Sequence, residues 1–494
     1  METDIESSTI LYQNCAISKP VIQFLHTTMI YILLTVYCSL FTWLTWRNFN
    51  FALAFLFFCL PTYLIRFNLG PLPTTLLEVM ILIITIIWII KLDRNTIYCL
   101  LSTIRRHPSL FISLSLFILA ATISIFTSIN TRAALGEWKA FYVEPIVVFL
   151  ILITSLNQER DSDNKNANFK MQIPKYFAIC NLQSAILFAL TISALLTSIL
   201  AIYQHFTGWL VPYDFWQNES TFRVTAWYGF PNAVGLFLAP IIPLAFYLLI
   251  KTNKQETNKY KKINFKYWIL NIVCILSLVS SLLAIIYAKS TGALVALAAG
   301  LIFFLFFYNK KTRWLAIIIS ILGISSILGL SGIRQELLFQ DRSGQLRLNM
   351  WAETTEFLKT HPIAGAGLAS YTQAIKPYRI DKWIEVFHHP HNIFLTMWVN
   401  TGLLGLFSFV WIIVSIFNFK FLIFKCRFHR ASSTESGQFN NLSIFNLCVL
   451  TSLVVILVMG LVDSPYIKND LAILFWLLPA LLITSRHCEE EPQR

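Results

Sequence analysis

Charge is scarce in this chain. Only 13% of its 494 residues are Asp, Glu, Lys or Arg, 56% are hydrophobic, and the apolar residues come in unbroken runs rather than periodic stripes. Soluble domains carry about a quarter charged residues, so that class is excluded. The start of the chain lacks a basic stretch and has Glu2, Asp4 and Glu6 instead, so no cleavable signal peptide is expected. The polar loops expected on the outer side lack cysteine. Cys38, Cys59, Cys180, Cys274 and Cys448 sit inside apolar runs, and Cys99, Cys426 and Cys488 sit near basic connections. No structural disulfide is expected.

What the chain does have is hydrophobic length. Runs such as Leu76 to Ile90 and Ile112 to Ile129, with their flanks, can cross roughly 30 Å of hydrocarbon. Backbone groups in lipid must bond internally, so each run is expected to be a helix. Spans are expected near 26–46, 50–65, 73–90, 110–129, 139–156, 178–203, 232–250, 268–287, 293–308, 314–331, 392–418, 442–461 and 467–484. This describes an all-α polytopic membrane protein with about 12–13 transmembrane helices, the count turning on whether 26–46 spans.

The net charge of +13 would suggest nucleic acid in a soluble protein. Here it follows from Lys and Arg concentrated in alternate connections, so no nucleic-acid partner is expected. The connections 91–106, 160–175, 251–266, 310–313 and 420–430 each hold three to six Lys or Arg. The intervening short ones hold Arg132 with Lys139, then Arg223, Lys289 and Lys468. This alternation puts the basic loops in the cytoplasm and two long connections outside the cell membrane. The resulting organisation is an N-terminal segment 1–25, then a transmembrane bundle 26–331 carrying an aromatic outer loop 204–231. A large extracytoplasmic loop 332–390, C-terminal transmembrane helices 391–484 and a cytoplasmic tail 485–494 follow.

The loop 204–231 sets one cation, Arg223, among Trp209, Phe215, Trp216, Trp227 and Tyr228. The aromatics suit a membrane-interface belt. Arg223 suits a phosphate gripped by a two-bond fork. In the large loop, Gln345 to Lys359 has the spacing of an amphipathic helix, with Leu346, Met350, Phe357 and Leu358 on its apolar face. Pro362 ends it, and Gly365 and Gly367 follow in a turn. Arg347 on that helix is a second candidate for a lipid headgroup, and Arg132 a third. Gly365-Ala366-Gly367 is no dinucleotide fingerprint, because no strand precedes it and the third glycine is missing.

The loop closes with His388, His389, Pro390, His391 and Asn392. The histidines lack the i, i+4 pair of zinc proteases and Pro390 breaks the local geometry, so no metal is expected. A histidine at a helix start is instead a usable general base. Asn392 either orients His391 or caps the next helix. Asp463, beside Pro465, admits three readings: partner of an arginine, orienter of His391, or solvated turn acid. Asp161-Ser162-Asp163 has the spacing of a nucleotide-sugar metal site but lies in an Asn/Lys-rich cytoplasmic linker.

Four segments in order carry a resemblance. PHNIFLTMWVNTGLLGL resembles the His-Asn signature of the O-antigen ligase and O-antigen polymerase superfamily. LRLNMWAETTEFLKTHPIAGAGLASY resembles the segment just upstream. FRVTAWYGFPNAVGLFLAPIIPL resembles an earlier loop in which an Arg precedes a Pro-Asn helix start, and SPYIKNDLAILFWLLPALL resembles the final helix. The resemblance covers roughly residues 200–484. Where the family often has Ser-Arg, this chain has Lys289-Ser290, and where it has an acid after His-Asn, this chain has Asn400.

The resemblance implies a membrane glycosyltransferase on the outer face of the cytoplasmic membrane, without metal or other cofactor. Its donor would be a glycan on undecaprenyl diphosphate, and its acceptor a glycolipid or glycan hydroxyl. His391 would be the base, with Arg347 and Arg223 at the diphosphate. Arg132, Asn392, Asn232, Lys289 and Asp463 would bind substrate, Lys289 replacing the missing positive charge. A ligase is preferred, with a polymerase of the same superfamily as the alternative. A small-anion transporter is the reading from another class, but the span centres are nearly free of charge.

Overall fold

The computed structural model describes residues 29, 31–70, 72–165, 181–219, 221–259, 265–329, 334–335, 338–380, 382, 387–430 and 441–485. The N-terminal segment 1–25, part of the basic connections 160–175 and 251–266, and the tail beyond Ser485 lie outside the described residues.

The chain is a helical bundle. Seven described helices are long and apolar enough to cross a membrane, namely Pro108–Phe126, Thr131–Glu159, Leu182–Thr207, Pro231–Asn253, Tyr267–Tyr287, Thr291–Tyr308 and Ile393–Asn418. Four shorter apolar helices join them: Phe49–Phe58, Leu76–Ile90, Ile444–Met459 and Asn469–Thr484. Most runs read from the sequence are thus helices among the described residues.

Two of the expected spans are reshaped. The run 50–65 is helical over Phe49–Phe58 and then tightens into a 3-10 turn, Leu60–Leu64, with Pro61 at its start. The run 73–90 begins as a strand. Arg66–Leu69 and Leu72–Thr75 form an antiparallel hairpin with Arg66 opposite Thr75, and the helix starts only at Leu76. Pro73 cannot continue a helix at that point. Thr75 fixes the start instead, its hydroxyl accepting from the Glu78 N–H while the Glu78 carboxylate accepts from the Thr75 N–H.

The helix Asn469–Thr484 is covered on every side, which explains why it is apolar all round. Glu144–Lys165 packs along it, and Pro231–Lys259 packs against Leu182–Thr207, Phe265–Tyr287 and Asn441–Met459. Pro108–Phe126 packs along Ile393–Arg430, which kinks at Gly402. Rings of Phe117, Tyr142, Phe409, Tyr466, Phe475 and Trp476 interlock at the centre.

The large loop packs Phe357, Leu358, Ala366, Tyr371 and Ile375 into a small core with Val399 of the helix Ile393–Arg430. Its principal helix runs Arg342–Thr360, capped by Asp341, whose carboxylate accepts from the Ser343 and Gly344 N–H groups. Phe357 and Leu358 are buried as the spacing indicates, whereas Leu346 and Met350 are only half-buried. The glycine pair after it has a packing role. Gly365 and Gly367 have φ of 65° and 84°, and a Cβ on Gly367 would lie 2.7 Å from the Ser128 nitrogen. Only glycine lets this loop lie so close to the end of Pro108–Phe126.

Candidate functional site

At one end of the bundle three loops meet: the segment before Ile393, the turn between Met459 and Asn469, and the loop before Pro231. Asn392 starts the helix Ile393–Arg430. Its side-chain oxygen accepts from the Phe394 and Leu395 N–H groups at 3.0 Å each, and its amide donates to the Leu461 carbonyl at 3.0 Å. Of the two readings of Asn392, capping is the one its bonds describe, and the cap also staples the 461–463 turn beside it.

His391 stands just before that cap, with φ of 48° in the left-handed region. The bend brings its Nδ1 to 3.1 Å from Asp463 Oδ1. The His391 side chain is 20% exposed and that of Asp463 10%, so the pair is sheltered but reachable. Asp463 also accepts from the Ser464 N–H at 2.8 Å, and its other oxygen accepts from the Asn232 amide at 3.3 Å. Asn232, in the first turn of Pro231–Lys259, accepts in turn from Arg223 at 2.8 Å.

Arg223 is a hub. Its Nε donates to the Ala288 carbonyl at 2.8 Å and a terminal nitrogen to the Lys289 carbonyl at 3.0 Å, while the guanidinium sits 5.2 Å from the centre of the Trp216 ring. Lys289 is exposed on a tight turn with φ of 48°. Arg347 reaches the same region from the loop helix, its Nε donating to the Val462 carbonyl at 2.9 Å, one residue before Asp463. Arg223, Asn232, Asp463, His391 and Arg347 therefore form one connected cluster, with Lys289 tied to Arg223. Arg132 is exposed on the helix Thr131–Glu137.

The electrostatics follow from these contacts. Burial alone would raise the Asp463 carboxyl. The His391 charge and hydrogen bond, with His389 and Arg347, outweigh burial and hold it well below the usual carboxylate range. A carboxylate only accepts, so the shared proton is on His391 Nδ1, and whenever the ring carries one proton its lone pair is on Nε2. His389 packs edge-on against His391 at 4.7 Å between ring centres. Burial first, then the neighbouring His391 charge, push it down to about 3, so it is neutral at physiological pH. Lys468, on the Asp463 side, is pushed down by burial and partly restored by Asp470 and Asp463.

His389, His391 and Asp463 offer ligand atoms within 4.8 Å of one another, a spacing a cation could use. Both Asp463 oxygens already accept hydrogen bonds inside the cluster, whereas the buried His389 Nδ1 has no hydrogen-bond partner among the described residues. Nothing in the sequence separates the exposed His388 from the half-buried His389.

A buried carboxylate bonded to a histidine, with two arginines bonded into the same cluster, is an arrangement that can take up a proton beside an anion. Residues 276–410 match the profile of the O-antigen ligase family, which places this part of the chain in the O-antigen ligase and polymerase superfamily. The match includes Lys289, Arg347, His391 and Asn392, and leaves Arg223, Asn232 and Asp463 outside it. No curated protein matches the chain. The match supports, in general terms, O-antigen ligase- or polymerase-like glycan transfer by a multi-pass membrane protein.

Proposed function

We propose that this enzyme transfers a glycan from undecaprenyl diphosphate to an acceptor hydroxyl, on the extracytoplasmic face of the cytoplasmic membrane, without a metal. The observation that carries this reading is the His391–Asp463 pair with cations on two sides. Such a donor already has a good leaving group, so the protein must supply positive charge at the diphosphate and a base for the acceptor.

In the proposed reaction the acceptor oxygen attacks the anomeric carbon and gives its proton to His391 Nε2. The anomeric C–O bond breaks, and its electrons leave with the diphosphate oxygen. Asp463 steadies the imidazolium that forms. Arg347, Arg223 and Lys289 supply the field that favours the departing diphosphate. Asn232 links Arg223 to Asp463, so the leaving-group side and the base side are held in one register.

Arg223→Lys is expected to lower transfer on the order of 10²-fold, because an ammonium cannot replace the fork that fixes Ala288, Lys289 and Asn232 together. Wild-type rates for that variant in membrane transfer assays would contradict the role given to Arg223.

The acceptor is glycolipid for a ligase and the growing chain for a polymerase, and the ligase is the preferred reading. The glycolipid profile of a strain lacking this gene tests it. Carrier-bound polymer of normal length is the expected result. Single repeat units would mean a polymerase, and an unchanged profile would remove the glycan-transfer proposal.

A further inference from the structure

The two halves of the His–Asp pair lie 72 residues apart, on separate loops, yet one helix holds both. Arg347 and Trp351 are four residues apart on Arg342–Thr360 and so share a face. Arg347 donates to the carbonyl of Val462, the residue before Asp463, at 2.9 Å. Trp351 Nε1 donates to the carbonyl of Pro390, the residue before His391, also at 2.9 Å.

The helix is itself fastened at several points. Asp341 caps its start, and the Phe339 ring meets Trp351 edge-on at 5.3 Å. Beyond Trp351, the buried Glu353 carboxylate accepts from the Ile380 N–H at 2.7 Å and pairs with Arg379 at 3.7 Å. Phe357 and Leu358 are sunk in the loop's core.

From this geometry we infer that Arg342–Thr360 is a splint that sets the separation of His391 and Asp463, and that Trp351 is a positioning residue for the base. His391 needs such support. A non-glycine residue in the left-handed region is strained, and it stays there only when its surroundings fix it. The Trp351 bond fixes the carbonyl immediately before it. Trp351 has no part in the chemistry; it acts through the angle at which the imidazole meets the carboxylate.

The inference rests on the proposed glycan transfer, and the experiment separates the two. Full-length protein in membranes is supplied with the carrier-linked glycan that accumulates in the deletion strain, together with that strain's own acceptor lipids. Trp351→Phe keeps an aromatic ring and removes the N–H. It is expected to lower kcat about 10- to 100-fold, as misplacement of a reacting group does, with KM for the donor within about twofold. In an Asp463→Asn background the same change is expected to cost less than about twofold, because the pair through which Trp351 acts is already broken. Glu356→Ala, on the exposed Glu356–Lys359 ion pair of the same helix, is expected to leave the rate unchanged.

An equal loss of rate in both backgrounds, a change confined to KM, or an unchanged kcat would overturn the splint. No transfer by the wild-type protein would instead overturn the proposed function. Should Trp351→Phe not accumulate, Phe339→Leu removes the ring that wedges the indole. It is expected to lower kcat about three- to tenfold with the same background dependence, and an unchanged rate would again overturn the inference.

Discussion

His391→Ala is expected to lower glycan transfer roughly 10²- to 10⁴-fold, the range that a positioned proton acceptor contributes. The donor should still bind, because Arg223 and Arg347, proposed to meet the diphosphate with Lys289, are held by the carbonyls of Ala288, Lys289 and Val462 and not by His391. The signature is thus a collapse of kcat with KM for the carrier-linked donor nearly unchanged. Single-turnover assays in membranes read both quantities. A variant that keeps the wild-type kcat would remove His391 from the chemistry, and one that loses donor binding instead would make it a ligand for the substrate.

Asp463→Asn is expected to be nearly as damaging, on the order of 10³-fold, near the ~10⁴ that follows amidation of the aspartate orienting a catalytic histidine. The reason is local. The carboxylate holds the proton on Nδ1 and accepts from Asn232 and the Ser464 N–H as well. An amide in its place offers its NH₂ to one of those partners, and if it faces His391 it stabilises the tautomer with the proton on Nε2, which cannot act as a base. The substitution also removes a negative charge beside Arg347 and Arg223, so KM for an anionic donor should stay level or fall. A rise in KM with kcat preserved would mean that Asp463 shapes the donor pocket and does not orient the histidine.

Much of this arrangement was legible in the chain, for identifiable reasons. Unbroken apolar runs give helices because lipid leaves the backbone no other partner. The loop helix was readable from spacing over Gln345 to Lys359, whereas its start at Arg342, fixed by the Asp341 cap, was not. Arg223 stood out as a lone cation among aromatic residues, Arg347 by its place on the loop helix, and His391 by its place at a helix start. Their bonds to one another did not. The approach of His391 to Asp463, and the bridge from Arg223 through Asn232, join segments far apart in sequence, and no periodicity encodes such contacts.

Two other features were hidden by their surroundings. The hairpin 66–75 lies at the edge of an apolar run, where strand and helix look alike until Pro73 and the Thr75 cap are weighed together. Trp351 reads as one more apolar helix residue, and only its indole N–H, aimed at the Pro390 carbonyl, reveals a different task. Asn392 shows the reverse case. Two roles were open to it, and two N–H groups at 3.0 Å make it a cap.

The claim on which the rest depends is that the leaving group is a lipid diphosphate expelled beside this histidine. The most direct measurement is the release of undecaprenyl diphosphate by the purified protein in proteoliposomes, with chelator present and no nucleotide sugar added. The account predicts one undecaprenyl diphosphate freed for each glycan transferred, and neither product from His391→Ala. Glycan transfer without release of the diphosphate, or release that persists in His391→Ala at the wild-type rate, would contradict it.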